Sequence, residues 1–183
     1  MKRVALIGSR RAPQNIQALA RVIGKGFSDK GIVGYSGGAP GMDDAWMADY
    51  NPELSRIIIP WKGFNEHETS PGYYCWANQT NEAKIKSVVQ AMSVTGYFEQ
   101  VKRGAQNLFS RNSMQILGLD CLEPVDAVYY WAPEVHMKVS GGTRVAVDIA
   151  RKFGIPCYNL LHDNIRIPLE EEYAFKSDLD WLL

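Results

Sequence analysis

Three short segments of the chain combine glycine, hydroxyl side chains and cations in the way oxyanion binding requires. The first is Gly8-Ser9-Arg10-Arg11, where a tight backbone turn is followed by a hydroxyl and two fork-shaped guanidinium donors suited to phosphate. The second runs from Ser36 through Gly37, Gly38, Ala39, Pro40, Gly41 and Met42 to Asp43. Its glycines let a ligand approach main-chain N–H groups where a helix with a positive dipole end begins. Asp43 and Asp44 also fit the first helical turn simply as dipole partners. The third is Ser140-Gly141-Gly142-Thr143, in which Ser140 or Thr143 can cap a helix with no ligand present. A second Gly-Gly at the same place in the architecture is more than capping needs. None of the three is GxGxxG or GxxxxGK[ST], so neither a dinucleotide fingerprint nor a P-loop is indicated.

Two further groups of residues bear on chemistry. Arg111-Asn112 lies inside a helical pattern, where the arginine can pair with a surface acid and the asparagine calls for a fixed hydrogen-bond partner. Residues 61–76 hold Trp61, Phe64, Tyr73, Tyr74 and Trp76. These rings can stack on bases or can pin the loop to the body. Within that loop, Glu66-His67-Glu68 reads as a solvated tip or as acid and base groups. His136 and His162 have no partner pattern. Cys75, Cys121 and Cys157 are odd in number and far apart, with no CxxC or Cys/His spacing. Free thiols in a reducing, cytoplasmic compartment are the expectation, with no metal site and no cofactor.

The segments sit between elements that can position them. Val4–Gly8 is a short apolar run that ends in glycine, expected to be a strand buried on both faces. Ile16, Leu19, Ala20, Ile23 and Phe27 give residues 15–30 the spacing of an amphipathic helix, stopped by Gly31. Ile32–Tyr35 and Arg56–Pro60 are expected strands, with a helix over 42–50 between them and an irregular stretch over 61–80. Helices are expected within 81–94 and over about 98–118, then a strand at Asp126–Trp131, a helix at Gly141–Phe153 and a fifth strand at Pro156–Leu160. Alternation of this kind implies right-handed crossovers, giving an α/β fold. A single Rossmann-like domain with a mostly parallel sheet and helices on both faces is expected over residues 1–162. Residues 163–183 form a tail expected to pack on that core or at an interface. In such sheets ligands bind beyond the carboxyl ends of the strands, where the unusual residues fall.

Composition narrows the function classes. At 183 residues the chain can bury a full core, and 46% hydrophobic with 22% charged residues excludes a disordered protein. Twenty cations balance twenty anions, so nucleic-acid binding would have to come from a local basic patch. No run approaches the roughly 20 apolar residues of a membrane span, and the apolar run after Lys2-Arg3 is short for a signal peptide and is expected to be a buried strand.

Gly8-Ser9-Arg10, the stretch from Ser36 to Ala45, and Ser110-Arg111-Asn112 followed by Ile116 and Gly118 occur in the order seen in one family. They resemble the DNA-processing protein A family (DprA, also called Smf), whose pattern reads roughly GSR, SGxAxGID with an Ala-His, and RNRIIAGLS. Ser140–Thr143, with Ala146 and Ala150, occupies the place of that family's last loop and helix, and the similarity spans residues 3–160. The resemblance implies the extended Rossmann fold that DprA shares with the Lonely Guy (LOG) nucleotide hydrolases in the SLOG superfamily. It implies a nucleotide or single-stranded DNA as partner, a role in DNA processing or recombination, and no membrane; it allows a homodimer. Carried over residue by residue, Arg10, Gly37, Gly38, Arg111 and Asn112 would line a phosphate pocket. The chain departs from the pattern at Trp46, which stands near the family's histidine, and in the aromatic stretch after the third strand.

The residues thus lead to phosphate binding through Gly8, Ser9, Arg10, Ser36, Gly37, Gly38, Gly41, Arg111, Asn112, Ser140, Gly141, Gly142 and Thr143. The alternatives are a LOG-like or deoxyribosyltransferase-like N-glycosidase acting on nucleoside monophosphates, and a nucleotide sensor. An N-glycosidase needs a carboxylate near the anomeric carbon. Where LOG proteins carry a glutamate soon after Gly-Thr, this chain has Arg144, Val145 and Ala146, with Asp148 a turn further on; Asp43, Glu66, Glu68 and Glu99 are possible substitutes that no motif places.

Overall fold

A computed structural model describes residues 2–174. Its organising element is a sheet of six parallel strands, β1 (Arg3–Gly8), β2 (Val33–Ser36), β3 (Ser55–Ile59), β4 (Tyr73–Cys75), β5 (Ala127–Trp131) and β8 (Cys157–Asn159). Their spatial order is β4-β3-β2-β1-β5-β8. β1 pairs with β2 through Ala5 and Tyr35, and with β5 from Val4 opposite Ala127 to Gly8 opposite Trp131. Two short strands, β6 (Glu134–Val135) and β7 (Lys138–Val139), form a separate antiparallel hairpin after β5.

Side chains alternate across the sheet, so each apolar strand feeds two cores. Val4 and Leu6 pack with α1 (Gln14–Asp29) and α2 (Met42–Met47) on one face. Ala5 and Ile7 pack on the other face with α4 (Arg103–Leu117) and α5 (Thr143–Lys152), beside α3 (Asn81–Val94). The apolar spacing read for α1 falls on its buried side, at Ile16, Leu19, Ala20, Ile23 and Phe27. α2 is tied to the sheet by the buried Trp46, whose indole Nε1 donates to the Ile7 carbonyl at 3.1 Å.

The α/β class and the mostly parallel sheet agree with the sequence reading, and four details differ. β4 arises inside the stretch expected to be irregular: three residues are too few to show a period, yet Tyr73–Cys75 pair with Ile57–Ile59. The expected helix over 98–118 begins only at Arg103, because Val101 and Lys102 are extended. The Gln106 amide then satisfies the carbonyls of Phe98 and Val101 at 3.1 and 3.2 Å. The helix expected over 42–50 ends at Met47. The hairpin had no signal beyond its length of two residues per strand.

Of the tail, α6 (Asp163–Leu169) and a π-helical turn (Glu170–Ala174) are described, and Tyr173 packs edge-on against Phe27 of α1 at 5.5 Å. Trp181, Leu182 and Leu183, considered for an interface, lie outside the described residues.

Candidate anion-binding site

The chain leaves β1 toward the α1 face and β5 toward the α5 face, so the two loops part above the sheet. A crevice must open there, at the point where strand order reverses. A cavity of about 630 Å³ fills it. That is within the range of small-molecule sites, roughly 300–1,000 Å³.

Its polar wall has three parts. The loop after β1 contributes Gly8, Ser9, Arg10 and Arg11; the turn before α5 contributes Ser140, Gly141, Gly142 and Thr143; α4 contributes Arg111, Asn112 and Gln115. Apolar groups complete the lining, among them Ile7, Ala39, Leu108 and Phe109. Of the residues read from sequence as a site, Ser36, Gly37, Gly38 and Gly41 do not line this cavity but stand behind it. Ser36 Oγ is buried and donates to the Leu6 carbonyl at 2.7 Å, joining β2 to β1. Gly41 has φ 88°, and a Cβ there would lie 2.7 Å from the Arg10 Cα, so the loop after β1 can rest against it only because the side chain is missing.

Ser9, Ser140 and Asn112 are each tied to nearby backbone. Ser9 Oγ accepts from the Arg11 N–H at 3.1 Å, and the Ser9 N–H donates to the Trp131 carbonyl at 2.8 Å. Ser140 Oγ donates to the Pro133 carbonyl at 3.1 Å, closing the hairpin turn. Asn112 Nδ2 donates to the Gly142 carbonyl at 3.1 Å, the fixed partner that an asparagine inside a helix calls for. No side chain caps α5, whose first turn lies at the cavity wall. The Arg144 N–H donates to the Gly141 carbonyl at 3.2 Å, and the positive end of the dipole faces the cavity without a side-chain cap.

Arg111 is the unusual residue, 4% exposed in the buried half of α4. Its Nη1 stands 3.8 Å from Asp43 Oδ2. Asp43 is equally buried and also accepts from the Gly8 N–H at 3.1 Å and the Ala39 N–H at 3.4 Å. Burial dominates both partners. It pushes the Asp43 carboxyl up to about 6 despite the nearby guanidinium, and it pulls Arg111 down to about 10 despite the carboxylate. The Gln115 amide completes the cluster, oriented so that its oxygen accepts from Arg111 Nη1 at 3.0 Å and from the Gly37 N–H at 2.8 Å. Arg111 Nε remains a buried donor with no partner, the kind of orphan that a bound acceptor would satisfy.

Sequence reasoning missed Gln115; it read Asp43 as a dipole partner or a carboxylate placed by no motif, and Phe64 only as one ring of the aromatic stretch. The Phe64 ring is buried, with the guanidinium groups of Arg10 and Arg111 both 5.8 Å from its centre. The aromatic stretch is largely pinned to the body: Phe64 packs with Ile57 and Ile59, and Trp76 Nε1 donates to Ser87 Oγ at 2.9 Å. His67, expected at a solvated tip, instead lies 3.1 Å from Asp44 Oδ1. Asp148 pairs with Arg144 at 3.9 Å and Arg151 at 4.0 Å. Asp43 is the carboxylate among the residues lining the cavity. Among the described residues no cluster of His, Cys, Asp and Glu suits a metal ion, and no helix is long and apolar enough to cross a membrane.

No family model and no curated protein matches the sequence. Among solved structures, the fold is similar to DNA processing protein A from Helicobacter pylori, with a TM-score of 0.58 and 16% identity. That structure is described for a single-stranded DNA binding mode; the match covers 86% of this chain and 64% of the Helicobacter chain. The likeness is one of fold.

Proposed function

We propose that the cavity above β1 and β5 binds the phosphate of a nucleotide, and that single-stranded DNA is held there through its backbone. The observation that carries this reading is the buried Arg111, with its orphaned Nε, in the same cavity wall as the uncapped start of α5. Arg10 and Arg11, both exposed, add charge at the mouth. They supply the local basic patch that a chain of zero net charge requires. The apolar wall, Phe109 included, offers a surface for the sugar and base. A protein of similar fold binds single-stranded DNA, which supports the reading without extending to its pathway. Fluorescence anisotropy with labelled oligo-dT, together with calorimetry on nucleoside 5′-monophosphates, tests it. Saturable micromolar binding of either ligand, weakened by Arg111→Gln, is expected; absence of both ends it.

A second reading, N-glycosidase action on a nucleoside monophosphate, draws on one observation. Asp43 reaches the cavity with its carboxyl raised to about 6 by burial, as an acid in hydrolysis would need. Release of free base, lost in Asp43→Asn, would favour it. No base release, together with phosphate binding that survives Asp43→Asn, would leave the first reading alone.

A further inference from the structure

A second cavity, about 510 Å³, lies at the other end of the sheet, beside the strand starts. Arg3 begins β1, Val33 begins β2, and Arg56 is the second residue of β3. Tyr35 lies next to Arg56 in the strand register. The turn after α4 brings Asp120 and Glu123 to the same cavity, and Leu119 and Val33 give it an apolar side. This end of the sheet is remote from the loops of the phosphate cavity, which leave the opposite ends of the strands.

Tyr35 is 6% exposed, yet among the described residues its hydroxyl makes no hydrogen bond. The oxygen itself opens onto the cavity, where a ligand can supply the partner that the protein does not. Four charged groups surround it. Arg56 and Arg3 favour the phenolate and Glu123 and Asp120 oppose it, while burial keeps the phenol protonated. Each spends only part of its capacity on the protein. Arg3 Nη1 holds Glu123 Oε2 at 2.7 Å, while Arg3 Nε has no partner. Arg56 Nη1 donates to the carbonyls of Glu53 and Ser55 at 2.9 and 2.8 Å. Asp120 Oδ1 accepts from the Leu122 N–H at 3.0 Å.

Two cations and two anions around one hydroxyl make a site with no net charge but with both signs in reach. A polyanion would meet Asp120 and Glu123, and a simple cation would meet Arg3 and Arg56. A ligand that carries both signs meets what the Arg3–Glu123 ion pair leaves over, Arg3 Nε and Arg56 on one side and Asp120 on the other, which is selectivity by repulsion as well as attraction. We propose that this cavity binds a small zwitterion of the free α-amino acid class. The carboxylate faces Arg3 and Arg56, the ammonium faces Asp120 and Glu123, and the Tyr35 hydroxyl bonds the ligand between them.

The test uses the whole chain and free α-amino acids as probes, each titrated at millimolar concentration by calorimetry and by thermal unfolding. At least one is expected to bind saturably. Its carboxamide, which keeps only the cation, and its N-acetyl derivative, which keeps only the anion, are each expected to bind about ten-fold more weakly or worse. Tyr35→Phe removes one oxygen from a retained ring and is expected to cost about ten-fold in affinity. Arg56→Gln, at a half-buried position, is expected to give the same loss and serves if Tyr35→Phe does not fold. No binding by any amino acid, equal binding of a singly charged analogue, or full affinity in the folded variants overturns the proposal.

Discussion

Replacing Gly37 with alanine adds one methyl group and tests how the cavity above β1 and β5 is built. The backbone of Gly37 is outside the left-handed region, so alanine meets no conformational strain. The whole effect is steric, because the new Cβ would overlap the Arg111 guanidinium and the Gln115 amide. Ordinary contact requires about 3.5 Å, so the guanidinium must retreat by roughly 2 Å. At the present 3.8 Å from Asp43, and at an effective dielectric of about 20, the attraction is about 4 kcal/mol. It falls to about 3 kcal/mol after the retreat. The Gln115 bonds to Arg111 and to the Gly37 N–H are lost or lengthened at about 0.5–1.5 kcal/mol each. Together these give a destabilisation of about 2–4 kcal/mol, read as a lower urea midpoint at unchanged slope. Affinity for a nucleoside monophosphate should fall at least about ten-fold, because Arg111 no longer presents Nε to the cavity. A Gly37→Ala protein with wild-type midpoint and wild-type affinity would refute the idea that the glycine exists to admit Arg111.

Further expectations follow from the same cluster. The Asp43 carboxyl is raised by burial from 3.8 to about 6, so the folded state holds that proton more tightly than the unfolded chain. Its contribution is present in full below about pH 4 and is lost as pH rises through about 6, a swing of about 3 kcal/mol. Urea unfolding of wild type beside Asp43→Asn across that range should show the difference, and parallel profiles would contradict it. Asn112→Ala removes the bond to the Gly142 carbonyl and should cost about 1 kcal/mol of stability. It should also weaken nucleotide binding, detectable by calorimetry. If Arg10, Arg11 and Arg111 neutralise three phosphates of oligo-dT, the logarithm of affinity should fall with that of salt at a slope of roughly −2. A slope near zero would remove the backbone contacts.

The fold was legible because a buried parallel sheet writes itself as apolar runs separated by amphipathic helices. Val4–Ile7 and the Ile16–Phe27 stripe needed no tertiary information. β4 was hidden because three residues paired to β3 carry no period of their own. The lining of the cavity was legible where motif residues fall on strand-end turns, in Gly8–Arg10 and Ser140–Thr143. It was not legible where side chains meet a neighbour distant in sequence. Asp43 could be read only as a dipole partner or an unplaced carboxylate because Arg111 lies 68 positions away (111 against 43), and only packing of α4 against the loop after β2 brings them together. Ser36, Gly37 and Gly41 carry motif signals of the same strength as Gly8, yet they serve as the backing of the cavity.

Both outer strands of the main sheet, β4 and β8, are three residues long. A short margin offers few main-chain N–H and C=O groups for another chain to template on, which is how natural sheets avoid growing into one another. Assembly by strand addition is thereby disfavoured, and a crowded, concentrated solution of this protein should resist fibre formation even though the middle of the sheet is rich in Val and Ile.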